Sequence, residues 1–203
     1  MAIRDTTIVA IEGTHATGKT TLVHALTAHY RLRSVNVVCS GEPARTSPFI
    51  EEIVLHGKGS FDLATEVDLF AAQLEHQLRV ARHHQLAIFD KTIANVLGYA
   101  RLVLDAPDGS IERRALDAMA GFCHAWAPVY DAVFYLHDRY DAHTDPDPLR
   151  DRVLDLQEAT DHAVRDACAD SGITCIDVPT GLGLDAHIGW VAARLADLGL
   201  VSG

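Results

Sequence analysis

The eight residues Gly13-Thr14-His15-Ala16-Thr17-Gly18-Lys19-Thr20 satisfy the pattern Gly-x-x-x-x-Gly-Lys-[Ser/Thr], a spacing that suits phosphate chemistry. Glycines let the backbone wrap tightly, so that successive N–H groups point inward at phosphate oxygens. Lys19 is placed to neutralise β- and γ-phosphates, and the Thr20 hydroxyl to ligate Mg2+. With Thr21 added, the segment from Gly13 to Thr21 is expected to cradle ATP. The pattern alone does not say what is done with the nucleotide. Phosphoryl transfer, switch-coupled hydrolysis and motor activity all use it. A length of 203 residues leaves nothing beyond one compact domain, spanning 1–203, for a motor or remodelling machine. The sequence Asn-Lys-x-Asp is absent, which argues against a regulatory GTPase.

Other groups with chemical potential recur at strand ends. Asp90 closes the apolar run Leu86-Ala87-Ile88-Phe89, at the carboxyl edge where open α/β sheets bind ligands. It suits a carboxylate that holds Mg2+ directly or through water, and equally an acidic cap for the helix that follows. Gly41-Glu42-Pro43-Ala44-Arg45 follows another strand-like run. On this proline-stiffened loop Glu42 can accept a proton from an acceptor hydroxyl, and Arg45 can hold an acceptor anion. A plain loop with a surface ion pair is the alternative. Phe70 can stack on an acceptor ring or simply fill core, and Gln73 can read a base edge. His83-His84 lacks a third ligand at suitable spacing and reads as a solvated helix end rather than a metal site. Between Asp138 and Pro148 the apolar pattern stops, and a polar, turn-forming stretch precedes Arg150 and Arg152. This is either a solvated loop or a lid, approximately 138–152, whose arginines stabilise charge on a transferred phosphoryl group.

These groups need a frame, and strand-length apolar runs alternating with helical patterns supply one, the signature of βαβ units around a parallel sheet. Strands are expected at 7–11, 35–40, 86–90, 132–136 and 174–178. Helices are expected at 19–30, 64–84, 92–104 and 111–126. Within 64–84, Val67, Phe70, Ala71, Leu74 and Leu78 form an apolar stripe at helical spacing.

Composition narrows the partners. Seventeen basic against 28 acidic residues give a net charge of −11, which argues against nucleic acid or an anionic membrane as the main partner. No run is apolar and long enough to span a bilayer, and no secretory signal opens the chain. Cys39, Cys123, Cys168 and Cys175 lie far apart, without a Cys-x-x-Cys pair, as expected of thiols in a reducing cytoplasm.

The residues also resemble a family. Ile8 to Gly13 with Lys19-Thr20-Thr21 is similar to the start of thymidylate kinases. Val37-Val38-Cys39-Ser40-Gly41-Glu42-Pro43-Ala44-Arg45-Thr46 looks like their Arg-Glu-Pro-Gly loop, and Leu69-Phe70-Ala71-Ala72-Gln73-Leu74-Glu75-His76 like their Leu-Phe-Ala-Ala-Asp-Arg-x-x-His helix. Phe89-Asp90-Lys91 falls where they carry Asp-Arg. The likeness covers roughly residues 6 to 100; beyond that it continues as the order of elements, with Arg150-Asp151-Arg152 in the lid position. It implies a three-layer α/β/α P-loop kinase fold with a five-stranded parallel sheet and a lid. It also implies ATP at 13–21, a lid arginine near the phosphates and an acceptor pocket over Phe70. Such a kinase is compatible with a homodimer.

Departures from the family fall on the acceptor side. The family's first-loop aspartate is His15, its loop arginine Gly41, its helix arginine Leu74, and the arginine of Asp-Arg is Lys91. Lysine offers a point charge without the planar fork of arginine, so anion recognition is weakened and a neutral hydroxyl acceptor is favoured. Glu42-Pro43 is also similar to the Glu-Pro loop of deoxynucleoside kinases, where the glutamate acts as base. Asp90-Lys91-Thr92 with Asn95 and Tyr99 resembles ATP-binding proteins related to ribosylnicotinamide kinase. The reading is a cytoplasmic Mg2+-ATP-dependent kinase for a small-molecule acceptor, a nucleoside, nucleotide or other hydroxyl-bearing metabolite. Its catalytic residues are Lys19, Glu42, Asp90, Arg150 and Arg152, with Glu42, Arg45, Phe70, Gln73 and Lys91 around the acceptor. Two alternatives stand beside it, an ATP-binding regulator without phosphotransfer and a thymidylate kinase with a rebuilt pocket.

Overall fold

The computed structural model describes residues 5–41, 43, 47–54, 56, 60–138 and 157–201. Five strands form one sheet: β1 (Thr7–Glu12), β2 (Val37–Cys39), β3 (Leu86–Asp90), β4 (Ala132–Tyr135) and β5 (Cys175–Asp177). Their order across the sheet is β2-β3-β1-β4-β5, and every neighbouring pair is parallel. The helices are α1 (Lys19–Arg31), α2 (Pro48–Val54), α3 (Leu63–Ala81), α4 (Ile93–Val103), α5 (Ile111–Trp126), α6 (Gln157–Asp170) and α7 (Leu184–Asp197).

Alternation along β1 builds a core on each side of the sheet. Ile8 and Ala10 face a cluster with Phe89, Ile93, Leu97, Leu116, Met119 and Val164, which belongs to the α3–α6 side. Val9 and Ile11 face Leu22, Leu26, Tyr30, Val191 and Leu195 on α1 and α7. Central strands buried on both faces read as continuous apolar runs, and β1 and β3 do so here. α4 crosses α6 so closely at Gly98 that an added Cβ would lie 2.9 Å from the Val164 Cα. Only glycine permits that approach. The result is the three-layer architecture expected from the sequence.

Two differences from the expected elements have physical causes. β2 is only three residues long, because it is an edge strand paired on one side alone. The short helix α2, with Pro48 as its first residue, is not announced by any apolar periodicity, since seven residues hold barely two turns. Among the described residues no helix is long and apolar enough to cross a membrane.

α3 departs from its apolar stripe. Its buried residues are Thr65, Glu66, Gln73, Gln77 and Ala81, while Val67, Ala71 and Leu78 are exposed. Phe70 and Leu74 pack partly against the core. The helix runs antiparallel to β3: near its carboxyl end Ala81 O accepts from the Thr6 hydroxyl just before β1 at 3.0 Å, while Gln73 and Gln77 reach the end of β3. The first turns of α3 therefore project past the carboxyl edge of the sheet. Register brings the functional ends together there, with Ile11 beside Asp90 and Glu12 beside Tyr135.

Candidate nucleotide and acceptor site

The phosphate loop leaves β1 at Glu12 and enters α1 at Lys19. Gly13 has φ +140°, and a Cβ there would lie 2.6 Å from the Leu136 carbonyl oxygen, so a side chain is excluded on two grounds. Ala16 adopts φ +56°, a left-handed turn at the tip of the loop. Within the loop the Thr17 hydroxyl donates to Thr14 O at 3.0 Å. The Lys19 ammonium is buried, donating to the same carbonyl and to Thr17 Oγ1 at 3.3 Å. α1 starts at Gly18 with no side-chain cap and no acidic residue in its first turn. A helix start of this kind favours an anion; α4 and α7 likewise make no side-chain cap bond, whereas α3 and α5 are capped by Asp62 and Ser110.

Thr20 and Asp90 meet across this loop. The Thr20 hydroxyl donates to Asp90 Oδ2 at 2.6 Å, and the buried Asp90 Oδ1 has no hydrogen-bond partner. A hydroxyl and a carboxylate side by side, with one oxygen unsatisfied, are hard oxygen donors of the kind that suits Mg2+. The residues present fit the ion implied by the loop. Among the described residues no group of three or more His, Cys, Asp or Glu side chains gathers into another metal cluster.

Behind the loop lies a buried carboxylate that motif reading passed over. Glu12 Oε1 accepts from the Thr92 amide at 2.7 Å and the Thr92 hydroxyl at 2.6 Å. Its Oε2 accepts from Asn95 Nδ2 at 2.8 Å and from the Gly13 amide at 3.3 Å. Burial pushes the Glu12 carboxyl above the usual carboxylate range, while Thr92, Asn95 and the Lys19 ammonium pull it back down.

At the end of β3, Lys91 follows Asp90 with φ +77°, a conformation costly for a lysine. Its carbonyl accepts from Gln73 Nε2 at 3.2 Å and Gln77 Nε2 at 3.1 Å. Gln73 Nε2 also lies 3.3 Å from Asp90 O, so the amide expected to read a base edge is engaged with the backbone of β3. The Lys91 ammonium lies over the Tyr99 ring at 5.6 Å, and His15 meets the same ring edge-on at 5.4 Å. Phe70 is half-buried and packs edge-on to Phe122 at 6.0 Å. The structure thus brings Lys19, Thr20, Asp90, Lys91 and His15 to one corner. Glu42, Arg45, Arg150 and Arg152 lie outside the described residues.

Glu66, on the buried face of α3 two turns before Gln73, is a further group that sequence reading missed. Its Oε2 is buried with no partner, and burial, helped by nearby Asp62, pushes its carboxyl up to about 7. A signal was available: a glutamate within an apolar helical segment, preceded by the cap Asp62. It reads as a first-turn acid until the helix is seen to turn its polar face inward.

Comparison with known proteins agrees with this frame. Among solved structures, the chain is similar to the NadR protein in complex with NR, at 17% identity and a TM-score of 0.71, over 98% of this chain and 53% of that one. It is similar to thymidylate kinase from Candida albicans, at 15% identity and a TM-score of 0.68, over 98% and 96% of the two chains. Deoxyadenosine kinase from M. mycoides with bound dATP aligns at 17% identity and a TM-score of 0.57, over 93% and 99%. The chain thus spans about half the length of the NadR chain and nearly all of the other two. No curated protein sequence matches it. These likenesses give the fold, a P-loop nucleotide kinase fold. A family model described as an AAA domain matches residues 8–183, from the first apolar strand through the loop after β5, and the chain belongs to that family.

Proposed function

We propose that this protein is an ATP-dependent kinase that transfers the γ-phosphoryl group to a small nucleoside-like or other hydroxyl-bearing acceptor. The observation that carries the reading is the Thr20–Asp90 pair at 2.6 Å beside the phosphate loop, with Asp90 Oδ1 unsatisfied. Thr20 and Asp90 would hold Mg2+, which supplies charge neutralisation on the phosphates when bound. Residues Gly13 to Thr21 bind and orient the triphosphate, and the Lys19 ammonium, near at hand in its own loop, swings onto the β- and γ-oxygens. The acceptor hydroxyl oxygen forms the new bond to the γ-phosphorus as the bond to the β,γ-bridging oxygen breaks. Glu42 takes the hydroxyl proton, ADP leaves, and Arg150 and Arg152 offset the charge on the moving phosphoryl group. Such a transition state asks chiefly for positioning and electrostatics.

Two features support the acceptor class. Lys91, where thymidylate kinases carry arginine, lacks the bidentate fork that favours an acceptor phosphate. The structural neighbours include a thymidylate kinase and a deoxyadenosine kinase with bound dATP, which points to nucleosides and nucleotides first. The test is ADP production from Mg2+-ATP across nucleosides, nucleoside monophosphates, sugars and amino alcohols, with Lys19→Ala as the blank. Acceptor-dependent ADP release with a phosphorylated product supports the kinase. ATP binding with no acceptor-stimulated turnover leaves the regulator, and strong stimulation by thymidine monophosphate identifies a thymidylate kinase with a rebuilt pocket.

A further inference from the structure

Glu12 is the last residue of β1 and wholly buried. Replacing a buried ionic group by a well-packed apolar one is often neutral or stabilising, so fold stability alone gives little reason for a carboxylate here. Its four donors come from two separate parts of the site. Gly13 opens the phosphate loop, whereas Thr92 and Asn95, at the start of α4, lie 80 and 83 residues beyond Glu12. Thr92 occupies the N-cap position of α4 but makes no side-chain cap bond, and its hydroxyl donates to Glu12. Asn95 and Tyr99 are one turn apart on α4, and Tyr99 meets His15 of the loop at 5.4 Å. The α4 face is therefore held against the phosphate loop at two heights, by Glu12 below and by the His15–Tyr99 contact above.

We infer that Glu12 is a positioning residue, a strut that fixes the phosphate loop and the first turns of α4 as one unit. Donor phosphates and the acceptor wall of Lys91 and Tyr99 are thereby presented at a set separation. The inference rests on the reading of Gly13–Thr21 as the phosphate loop, but the link itself is a property of the free protein.

The test is a polarity swap on the full chain. In Glu12→Gln an amide nitrogen confronts the donors from Asn95 and Gly13, and adding Asn95→Asp returns an acceptor to that nitrogen. Local hydrogen exchange is measured without ligand, and Mg2+-ATP affinity by calorimetry. Glu12→Gln is expected to speed exchange in residues 13–18 and 92–99 together, by roughly tenfold, with α7 unchanged. Mg2+-ATP binding should weaken by about the same factor, and the double variant should restore exchange in 92–99 and part of the loss in 13–18 and in binding, since the Gly13 amide still faces a nitrogen. A uniform rise across the chain, a rise in only one of the two segments, or no restoration in the double variant overturns the inference. Should Glu12→Gln fail to fold, Asn95→Ala removes a single donor. It must still loosen residues 13–18, to which Asn95 is joined through Glu12; unchanged exchange there overturns the strut. If the wild type does not bind Mg2+-ATP, the ligand-free exchange still decides the matter, and only the phosphate-loop reading falls.

Discussion

Gln73 and Gln77, one turn apart on α3, donate to the same carbonyl oxygen, that of Lys91, at 3.2 and 3.1 Å. The peptide so held is the one whose lysine is left-handed, and Gln77 is itself fixed by the Tyr130 hydroxyl at 2.8 Å. Two buried amides thus keep an unfavourable backbone turn in place beside Asp90. Lys91→Gly should relieve that turn and raise stability by about 1 kcal/mol, because glycine adopts positive φ freely. Gln77→Leu should lower stability by roughly 1–3 kcal/mol, since the Tyr130 hydroxyl then loses its acceptor. Urea unfolding of the two variants checks both signs, and a destabilised Lys91→Gly would show that the lysine side chain matters more than the backbone strain.

Lys19 and Asp90 should separate when ATP is titrated with and without magnesium. Lys19→Ala should abolish turnover and weaken nucleotide binding in either condition. Asp90→Asn should remove most of the gain that magnesium gives the wild type while leaving metal-free binding nearly intact. Equal magnesium dependence in Asp90→Asn and wild type, read by calorimetry, would displace Asp90 from the metal.

Glu42→Gln should lower kcat by about a hundredfold or more and change Mg2+-ATP affinity little, as removal of a general base does. Steady-state rates with the best acceptor, set against ATP titrations, give the comparison. An unchanged kcat ends the base assignment.

Glu66 makes stability depend on pH in an unusual sense. Burial, with Asp62 nearby, pushes its folded carboxyl up to about 7, against the ordinary 4.5 of the unfolded chain. Between those values the folded state holds a proton that the unfolded state has lost. Stability contributed by the neutral form is therefore present below 4.5 and is lost as pH rises toward 7. Glu66→Gln keeps the group neutral, so it should gain on the wild type by up to about 3 kcal/mol between pH 5 and pH 8. Denaturant melts at those two pH values decide it; a constant difference between the chains would remove Glu66 as the source.

The outer face of α3 carries Val67, Ala71 and Leu78, all exposed and at helical spacing. If this seam pairs two copies, sedimentation should give a dimer for the wild type and a monomer for Leu78→Glu. A wild-type monomer at high concentration would leave the seam unpaired.

The five strands and most helices are legible in the sequence because each owes its form to local pattern, β-branched apolar runs and helical periodicity. The phosphate loop is legible for the same reason, its residues being contiguous. α3 shows where local pattern stops. Periodicity gives the helix, but what lies opposite decides which face turns inward, and backbone carbonyls at the end of β3 call for the amides of Gln73 and Gln77 rather than for Val67 or Leu78. Glu12 was hidden more completely. In sequence it is simply the residue before a glycine, and the partners that give it meaning lie 80 and 83 residues further on, beyond three helices and two strands.

The order of the sheet grades the site by how readily its parts can come apart. β1, which carries the phosphate loop, is hydrogen-bonded on both sides, by β3 and β4. β2, which leads into the Glu42 loop, is a three-residue margin bonded to β3 alone. Local opening costs least at such margins. On the proposed kinase reading, the chain after β2 leaves from the selvage of the fabric while the phosphate loop is woven into its middle, so such a kinase would change its acceptor without unpicking the loop that holds ATP.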